Sequence, residues 1–171
     1  MRNPVCSLSA ASVLIYAFCL LYGASINASE MVRASRPEFS MRSLSGEVIR
    51  LSEHRGSVIM LGFWARWCGD CRLAMQALES IDEKYQRAGL ITLGINVGDS
   101  AEQTAIMTKS LGLRFPILLD TSSSAGKAFN LESMPLIVLL DRDGELRYSH
   151  QGFQSGDEVE FAAQLHKLLN E

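Results

Sequence analysis

Two nearly continuous apolar runs dominate the hydrophobic pattern of the chain. Residues 58–64 (VIMLGFW) and 90–97 (LITLGINV) have the length of β-strands and lack a regular alternation of polar positions. Such runs are typical of strands that are covered on both faces of a sheet. Two shorter runs, 115–120 and 136–140, indicate further strands. The pattern therefore predicts a central sheet with layers packed on both faces.

Apolar residues at helical spacing lie between these runs. From Cys71 onward they recur every three or four positions as far as Gly89, which is typical of a helix with a glycine at its end. Capping signatures and periodicity predict three more helices: from Asp99 or Ser100 through Leu111, over 122–129, and after a cap in 155–158.

Polar turn signals predict two hairpins. Ser45-Gly46 divides the loosely alternating segment 39–51, and the segment 141–144 (DRDG) joins the strand 136–140 to a partner over 145–151. Strands that alternate with helices and end in a hairpin and a helix favour an α/β class, with a central mixed β-sheet flanked by helices.

Length and charge allow one domain of ordinary size. The chain has 171 residues and a formal net charge of −3, with the charges interspersed. This distribution indicates a solvated globular surface and no nucleic-acid partner. The polar segment 29–38, which contains Pro37, is interpreted as a linker that precedes a single domain over 39–171.

The N-terminal segment has the pattern of an export signal. No charged residue lies between Arg2 and Glu30, and residues 13–21 form an apolar core that small residues follow. This order is typical of a secretory signal. We therefore expect residues 1–28 to be a signal peptide or an N-terminal membrane anchor. The domain would then lie in the periplasm or at the outer face of the cytoplasmic membrane.

Cysteine spacing indicates redox chemistry. Cys6 and Cys19 lie in the N-terminal segment, whereas Cys68 and Cys71 directly follow the apolar run 58–64. A disulfide that closes so short a loop stabilises a fold very little. On the first turn of a helix, free N–H groups and the helix dipole would favour a thiolate. The pair is therefore predicted to be a redox-active dithiol.

Metal binding is the weaker interpretation of these residues. A zinc or copper site requires three or four suitably spaced ligands. His54, His150 and His166 are scattered, and none neighbours the dithiol in the sequence. We therefore expect neither a metal nor a cofactor.

The segment 58–72 (VIMLGFWARWCGDCR) resembles the active-site strand and helix of the thioredoxin fold. Within the redoxin family it is most similar to the exported TlpA/ResA-type thiol:disulfide oxidoreductases, some of which act in cytochrome c maturation. The resemblance runs from residue 39 to the end and includes the segments 39–56, 95–100, 115–120, 128–131 and 134–144. It implies a thioredoxin-like fold with an N-terminal hairpin and a central helix-strand insert.

The resemblance also implies roles for individual residues. Cys68 would attack a substrate disulfide, and Cys71 would resolve the mixed disulfide. The supporting positions would be Trp67, Gly69, Asp70, Met134 and Pro135. Trp67 would wall the site, and Pro135 would be a cis-proline that leaves the backbone of Met134 free to pair with substrate. The implied substrates are exported protein thiols and disulfides, and a membrane electron donor would recharge the dithiol.

Asp70 departs from the family pattern, because most relatives carry proline there. Its carboxylate is expected to disfavour the Cys68 thiolate by repulsion, although the helix dipole would favour the carboxylate itself. A less stable thiolate makes the dithiol more reducing. The sequence therefore favours a reductase.

Two carboxylates that the family uses are missing. Thioredoxins place an acid where this chain has Gly62, and TlpA/ResA-type relatives often place a glutamate where it has Ala74. Water, Asp70 or Glu79 could then exchange the proton of Cys71, although Glu79 is expected to be a solvated surface residue. The missing acids also favour an alternative function, a non-catalytic binding or chaperone module. A peroxiredoxin-like peroxidase is disfavoured, because the chain lacks a threonine-bearing loop with a separate resolving cysteine.

Overall fold

A computed structural model describes residues 36–171. The predicted signal or anchor at 1–28, most of the linker at 29–38, and both Cys6 and Cys19 lie outside the described residues. Within 36–171, no helix has the length and apolar character needed to cross a membrane.

The described chain begins with the predicted N-terminal hairpin. Strands β1 (Ser40–Arg42) and β2 (Val48–Arg50) pair antiparallel, and a 3-10 helix follows at Leu51–His54. The turn uses Gly46 at a φ of 93°, a conformation that favours glycine. The backbone N–H of Leu44 donates to the carbonyl of Ile117 at 2.8 Å, so the hairpin is attached to the edge of the main sheet.

The main sheet has five strands in the order β5-β4-β3-β6-β7. Their bounds are β3 Val58–Trp64, β4 Leu90–Val97, β5 Ile117–Asp120, β6 Leu136–Leu140 and β7 Leu146–Gln151. Strands β3, β4 and β5 are parallel, whereas β6 is antiparallel to β3 and β7 to β6. The predicted mixed sheet is confirmed. Strand β5 begins two residues later than predicted, since Pro116 has no N–H for the ladder.

Within residues 36–171, four helices flank this sheet: α1 Cys71–Tyr85, α2 Ala101–Leu111, α3 Ser124–Ala128 and α4 Asp157–Leu169. Two apolar clusters lie on its opposite faces. Met75 of α1 and Phe161 of α4 belong to one cluster, whereas Phe39 of the hairpin segment and Phe129 after α3 belong to the other. The α/β class is therefore confirmed, with the α2–β5 insert between β4 and β6.

Helix starts test the predicted caps. Ser100 caps α2, since its hydroxyl accepts from the N–H of Gln103 and the Gln103 side chain accepts from the N–H of Ser100. The helix start predicted in 155–158 is confirmed, since Gly156 is the N-cap of α4 and its N–H donates to Glu158 Oε2. Gly156, at a φ of 110°, offers no capping side chain of its own, and the acidic residues of the first turn interact favourably with the helix dipole.

Asp82 on α1 makes stability depend on pH. Burial raises the pKa of its carboxyl, and the charge of Glu79 adds to the effect. A raised carboxyl pKa stabilises the fold below the ordinary value of 3.8, and this contribution is lost as pH rises through the folded-state pKa. We therefore expect Asp82→Asn to raise Tm slightly at pH 7 and to leave it unchanged below about pH 4.

Thermal unfolding across this pH range checks the prediction. Glu132→Gln, which removes an exposed carboxylate from the loop between α3 and β6, is the matched control and should leave Tm unchanged. A lower Tm for Asp82→Asn at pH 7 would contradict the prediction.

Candidate active site

The carboxyl end of β3 lies beside the beginning of β6. Phe63 pairs with Leu136, which places Pro135 next in register, alongside Trp64. The peptide bond between Met134 and Pro135 is cis. The chain leaves β3 after Trp64, forms a short turn and enters α1. Residues that are far apart in the sequence thus meet at this edge of the sheet.

Cys68 and Cys71 form a disulfide at the head of α1, with their Cα atoms 5.4 Å apart. Cys68 is 8% exposed and Cys71 only 1%. The expectation that both lie in the first helical turn is wrong: α1 begins at Cys71, and Cys68 lies in the preceding turn. Cys68 still faces the N-terminal end of the helix, where N–H groups and the dipole favour an anion.

The supporting positions between and before the cysteines face solvent. Trp67 is 68% exposed, and Gly69 is exposed as well. Asp70 is the N-cap residue of α1, is exposed, and makes no side-chain capping bond. The carboxylate of Asp70 is therefore free to act on the dithiol through its charge.

Apolar side chains close the two positions where relatives carry an acid. A Cβ atom on Gly62 would lie 2.5 Å from Leu78 Cδ1 and 2.7 Å from Met75 Cε. Ala74 is fully buried and belongs to the same apolar cluster as Cys71. The volume that a thioredoxin-type carboxylate would need is thus occupied by α1 itself.

Glu79 cannot replace these acids. The expectation of a solvated side chain is wrong, because Glu79 is only 9% exposed and accepts from the N–H and the Nε of Arg114 at 2.9 and 2.6 Å. It also lies eight residues beyond Cys71 on α1, about 12 Å along the helix axis. The loop between α2 and β5 brings Arg114 onto it, and no local pattern could have indicated this contact.

Asp99, which the sequence indicates as a possible helix cap, also belongs to this site. Its side chain is 4% exposed, and Oδ2 accepts from the backbone N–H of Arg66 at 2.7 Å and from Asn96 Nδ2 at 3.0 Å. Arg66 lies two residues before Cys68, so Asp99 anchors the active-site turn to the end of β4. Its position just after the carboxyl end of a parallel strand could have indicated from the sequence that Asp99 belongs to the site.

We expect Asp99→Ala to cost about 1–2 kcal/mol of stability, because the Arg66 N–H and the buried Asn96 amide lose their shared acceptor. Urea unfolding of the oxidised protein measures this loss. Asp99→Asn keeps an acceptor oxygen and should lose less than half as much. Glu158→Ala removes a partly exposed carboxylate that also accepts a backbone N–H, from Gly156, and should cost less than Asp99→Ala. Equal losses in Asp99→Ala and Glu158→Ala would contradict the assigned role.

Over residues 36–171, no group of three or more His, Cys, Asp or Glu side chains is arranged to hold a metal ion. His150 instead lies 2.8 Å from Gln164 Oε1 and packs against the ring of Phe161.

A short-loop disulfide at the head of a helix, beside a cis-proline of a five-stranded mixed sheet, defines a thioredoxin-fold thiol–disulfide oxidoreductase. The chain belongs to the AhpC/TSA family, whose model matches residues 32–149. The resemblance to TlpA/ResA-type redoxins is thereby confirmed.

Relatives and solved structures agree with this assignment. The chain is 30% identical to the thiol-disulfide oxidoreductase ResA of Geobacillus kaustophilus over 75% of this chain and 74% of the relative. It is 31% identical to the thioredoxin-like protein YneN of Bacillus subtilis, over 72% of this chain and 74% of that protein. A crystal structure described as a thiol:disulfide interchange protein DsbE, from Chlorobium tepidum, matches with a TM-score of 0.74 at 27% identity, covering 78% of this chain and 94% of that one.

Proposed function

We propose that this oxidoreductase is an exported reductase of protein disulfides, with Cys68 as the attacking thiol and Cys71 as the resolving thiol. The observation that carries the proposal is the asymmetry of the dithiol. Cys68 is 8% exposed and lies between the exposed Trp67 and Gly69, whereas Cys71 is only 1% exposed. Cys68 is therefore the more accessible of the two cysteines to a partner protein.

The reaction transfers two electrons from the dithiol to the substrate. The Cys68 thiolate attacks a substrate disulfide and forms a mixed disulfide, and one substrate thiol leaves. Cys71 then attacks the Cys68 sulfur, which releases the second substrate thiol and leaves the Cys68–Cys71 disulfide. A membrane electron donor would reduce that disulfide again.

The remaining predicted site residues have supporting roles in this proposal. Met134, which precedes the cis-proline Pro135, would offer its backbone to an extended substrate segment. Trp67 would contact the substrate around its target sulfur. The exposed carboxylate of Asp70 would disfavour the Cys68 thiolate and so make the dithiol more reducing. Gly69 leaves the surface between the cysteines open, since a Cβ there would meet nothing within 4 Å.

Export and the cellular role belong to the same proposal. The signal-like segment 1–28 supports a location in the periplasm or at the outer face of the cytoplasmic membrane. The family resemblance supports a role in cytochrome c maturation or in envelope redox homeostasis.

The reduction potential of the Cys68–Cys71 couple tests the direction of the reaction. Equilibration with dithiothreitol or glutathione buffers should give a value near that of thioredoxin, about −270 mV, or lower. A value near about −120 mV, typical of a strong periplasmic oxidant, would instead indicate a disulfide-forming enzyme.

One observation favours a second candidate function, a non-catalytic binding or chaperone module. Leu78 and Met75 occupy the space above Gly62 where a proton-transferring carboxylate would lie. Catalysis separates the two functions. A reductase turns over a protein disulfide with dithiothreitol and loses that activity in Cys68→Ser. A binding module shows no turnover with dithiothreitol and still binds its partner in Cys68→Ser.

A further inference from the structure

We infer that Cys71 exchanges its proton with solvent only, without an acid–base side chain from residues 36–171, and that the mixed disulfide on Cys68 is therefore long-lived. This inference rests on the proposed function. It adds that the protein releases a captured substrate slowly, at a rate set by hydroxide.

The packing around Cys71 carries the first step of the argument. On a helix, the residues three and four positions on share a face with the first. For Cys71 these are Ala74 and Met75, and both are fully buried in the apolar cluster that contains Cys71. Met75 and Leu78 also fill the space over Gly62, so closely that a Cβ atom added to Gly62 would overlap both side chains. The residues that share the helix face of Cys71 thus carry no acid–base group.

The nearby carboxylates are engaged elsewhere or face away. Asp99 holds the N–H of Arg66 and the amide of Asn96. Glu79 is bound to Arg114, well along α1 from the dithiol. Asp70 is exposed at the N-cap, whereas the side chain of Cys71 faces the core. Of these carboxylates, Asp70 is therefore the one that an experiment has to exclude as the base for Cys71.

The resolving step then needs a deprotonation that the protein does not assist. Apolar burial disfavours a thiolate, so Cys71 remains a thiol while the substrate sulfur is bonded to Cys68. Hydroxide removes the Cys71 proton, and the thiolate attacks the Cys68 sulfur. The bond between Cys68 and the substrate breaks, the Cys68–Cys71 bond forms, and solvent protonates the departing substrate thiolate. The dithiol is oxidised and the substrate disulfide is reduced.

The pH dependence of resolution distinguishes this route from assisted transfer. When solvent alone removes the proton, the thiolate fraction and the resolution rate rise about tenfold for each pH unit below the titration of the thiol. A positioned carboxylate would speed the step by about 100-fold or more and weaken this dependence near neutral pH.

The experiment mixes the reduced full chain with excess glutathione disulfide at pH 6, 7 and 8. Samples are quenched with acid, and mass spectrometry measures the fraction that carries glutathione on Cys68. The adduct should accumulate at pH 6 and 7, and its decay should accelerate about tenfold per pH unit. An adduct that never accumulates, or that decays at the same rate at all three pH values, would overturn the inference.

Three variants identify the cause. Ala74→Glu places a carboxylate on the face that Cys71 occupies, and it should speed decay about 100-fold at pH 7 and flatten the pH dependence. Gln76→Glu adds the same charge on the exposed face of α1 and should keep the wild-type decay. Asp70→Asn should keep the wild-type slope, and a loss of that slope would identify Asp70 as the base and overturn the inference. If Ala74→Glu does not fold, the pH series of the wild-type chain still shows whether a side chain assists the deprotonation of Cys71.

The same experiment separates this inference from the proposed function. Reduced protein that forms neither the Cys68 adduct nor the Cys68–Cys71 disulfide at any pH overturns both. An adduct that forms and resolves rapidly without pH dependence leaves the reductase intact and overturns only the unassisted resolution of Cys71.

Discussion

Replacement of Cys68 by serine should abolish disulfide reduction, with a loss of about 1000-fold or more in turnover. A serine hydroxyl is not ionised at neutral pH and cannot form the mixed disulfide. Cys71→Ser should behave differently, because Cys68 still attacks but nothing resolves the adduct. That variant should stop after one equivalent of substrate, with the partner retained on Cys68. Reduction of a model protein disulfide with dithiothreitol measures turnover, and non-reducing mass analysis detects the adduct.

The cysteines of the N-terminal segment provide the matched control. A variant with both Cys6→Ser and Cys19→Ser removes the same number of thiols as the loss of the whole dithiol, and it should keep wild-type turnover. Substantial activity in Cys68→Ser, or adduct formation on Cys71 in that variant, would contradict the assignment of the attacking thiol.

The second large effect is expected from returning a thioredoxin-type acid to β3. Gly62→Asp should destabilise the oxidised protein by about 3 kcal/mol, mainly because the carboxylate would be buried without a partner, and also because the ends of the Leu78 and Met75 side chains would have to move. The same substitution at Gly69, where a Cβ meets nothing within 4 Å, should change stability by no more than about 0.5 kcal/mol. Urea unfolding of both variants measures the difference.

A double variant tests the cause of this effect. Leu78→Ala removes the nearest methyl group, so Gly62→Asp should cost less in its background than in the wild-type chain, which is a favourable coupling in a double-mutant cycle. Strictly additive losses would show that the packing of Leu78 over Gly62 is not the reason. Equal losses at Gly62 and Gly69 would contradict the prediction altogether.

A second glycine makes room for apolar side chains on the same face of the sheet. Gly62 pairs with Gly94 in the neighbouring strand, and a Cβ there would lie 2.6 Å from Ile117 Cδ1 and 3.0 Å from Phe115. The two glycines thus form a shallow groove on this face of the sheet, and apolar side chains fill it. The lack of a carboxylate above Gly62 is therefore part of how this core packs.

The sequence by itself was sufficient for the elements and the dithiol. Strand and helix periodicities depend only on nearby residues, so the run 58–64 and the helix from Cys71 were predicted close to their observed bounds. The spacing of Cys68 and Cys71 after a buried strand is likewise a local pattern. For the same reason the capping box at Ser100 was confirmed.

Tertiary structure alone decided what surrounds the dithiol. Glu79 and Arg114 are 35 residues apart, and Arg66 and Asp99 are 33 residues apart, so neither contact follows from a local pattern. The packing over Gly62 depends on how closely α1 approaches the sheet. A glycine in a strand shows that space exists, but only the packed fold determines whether a carboxylate, a water molecule or a leucine fills it.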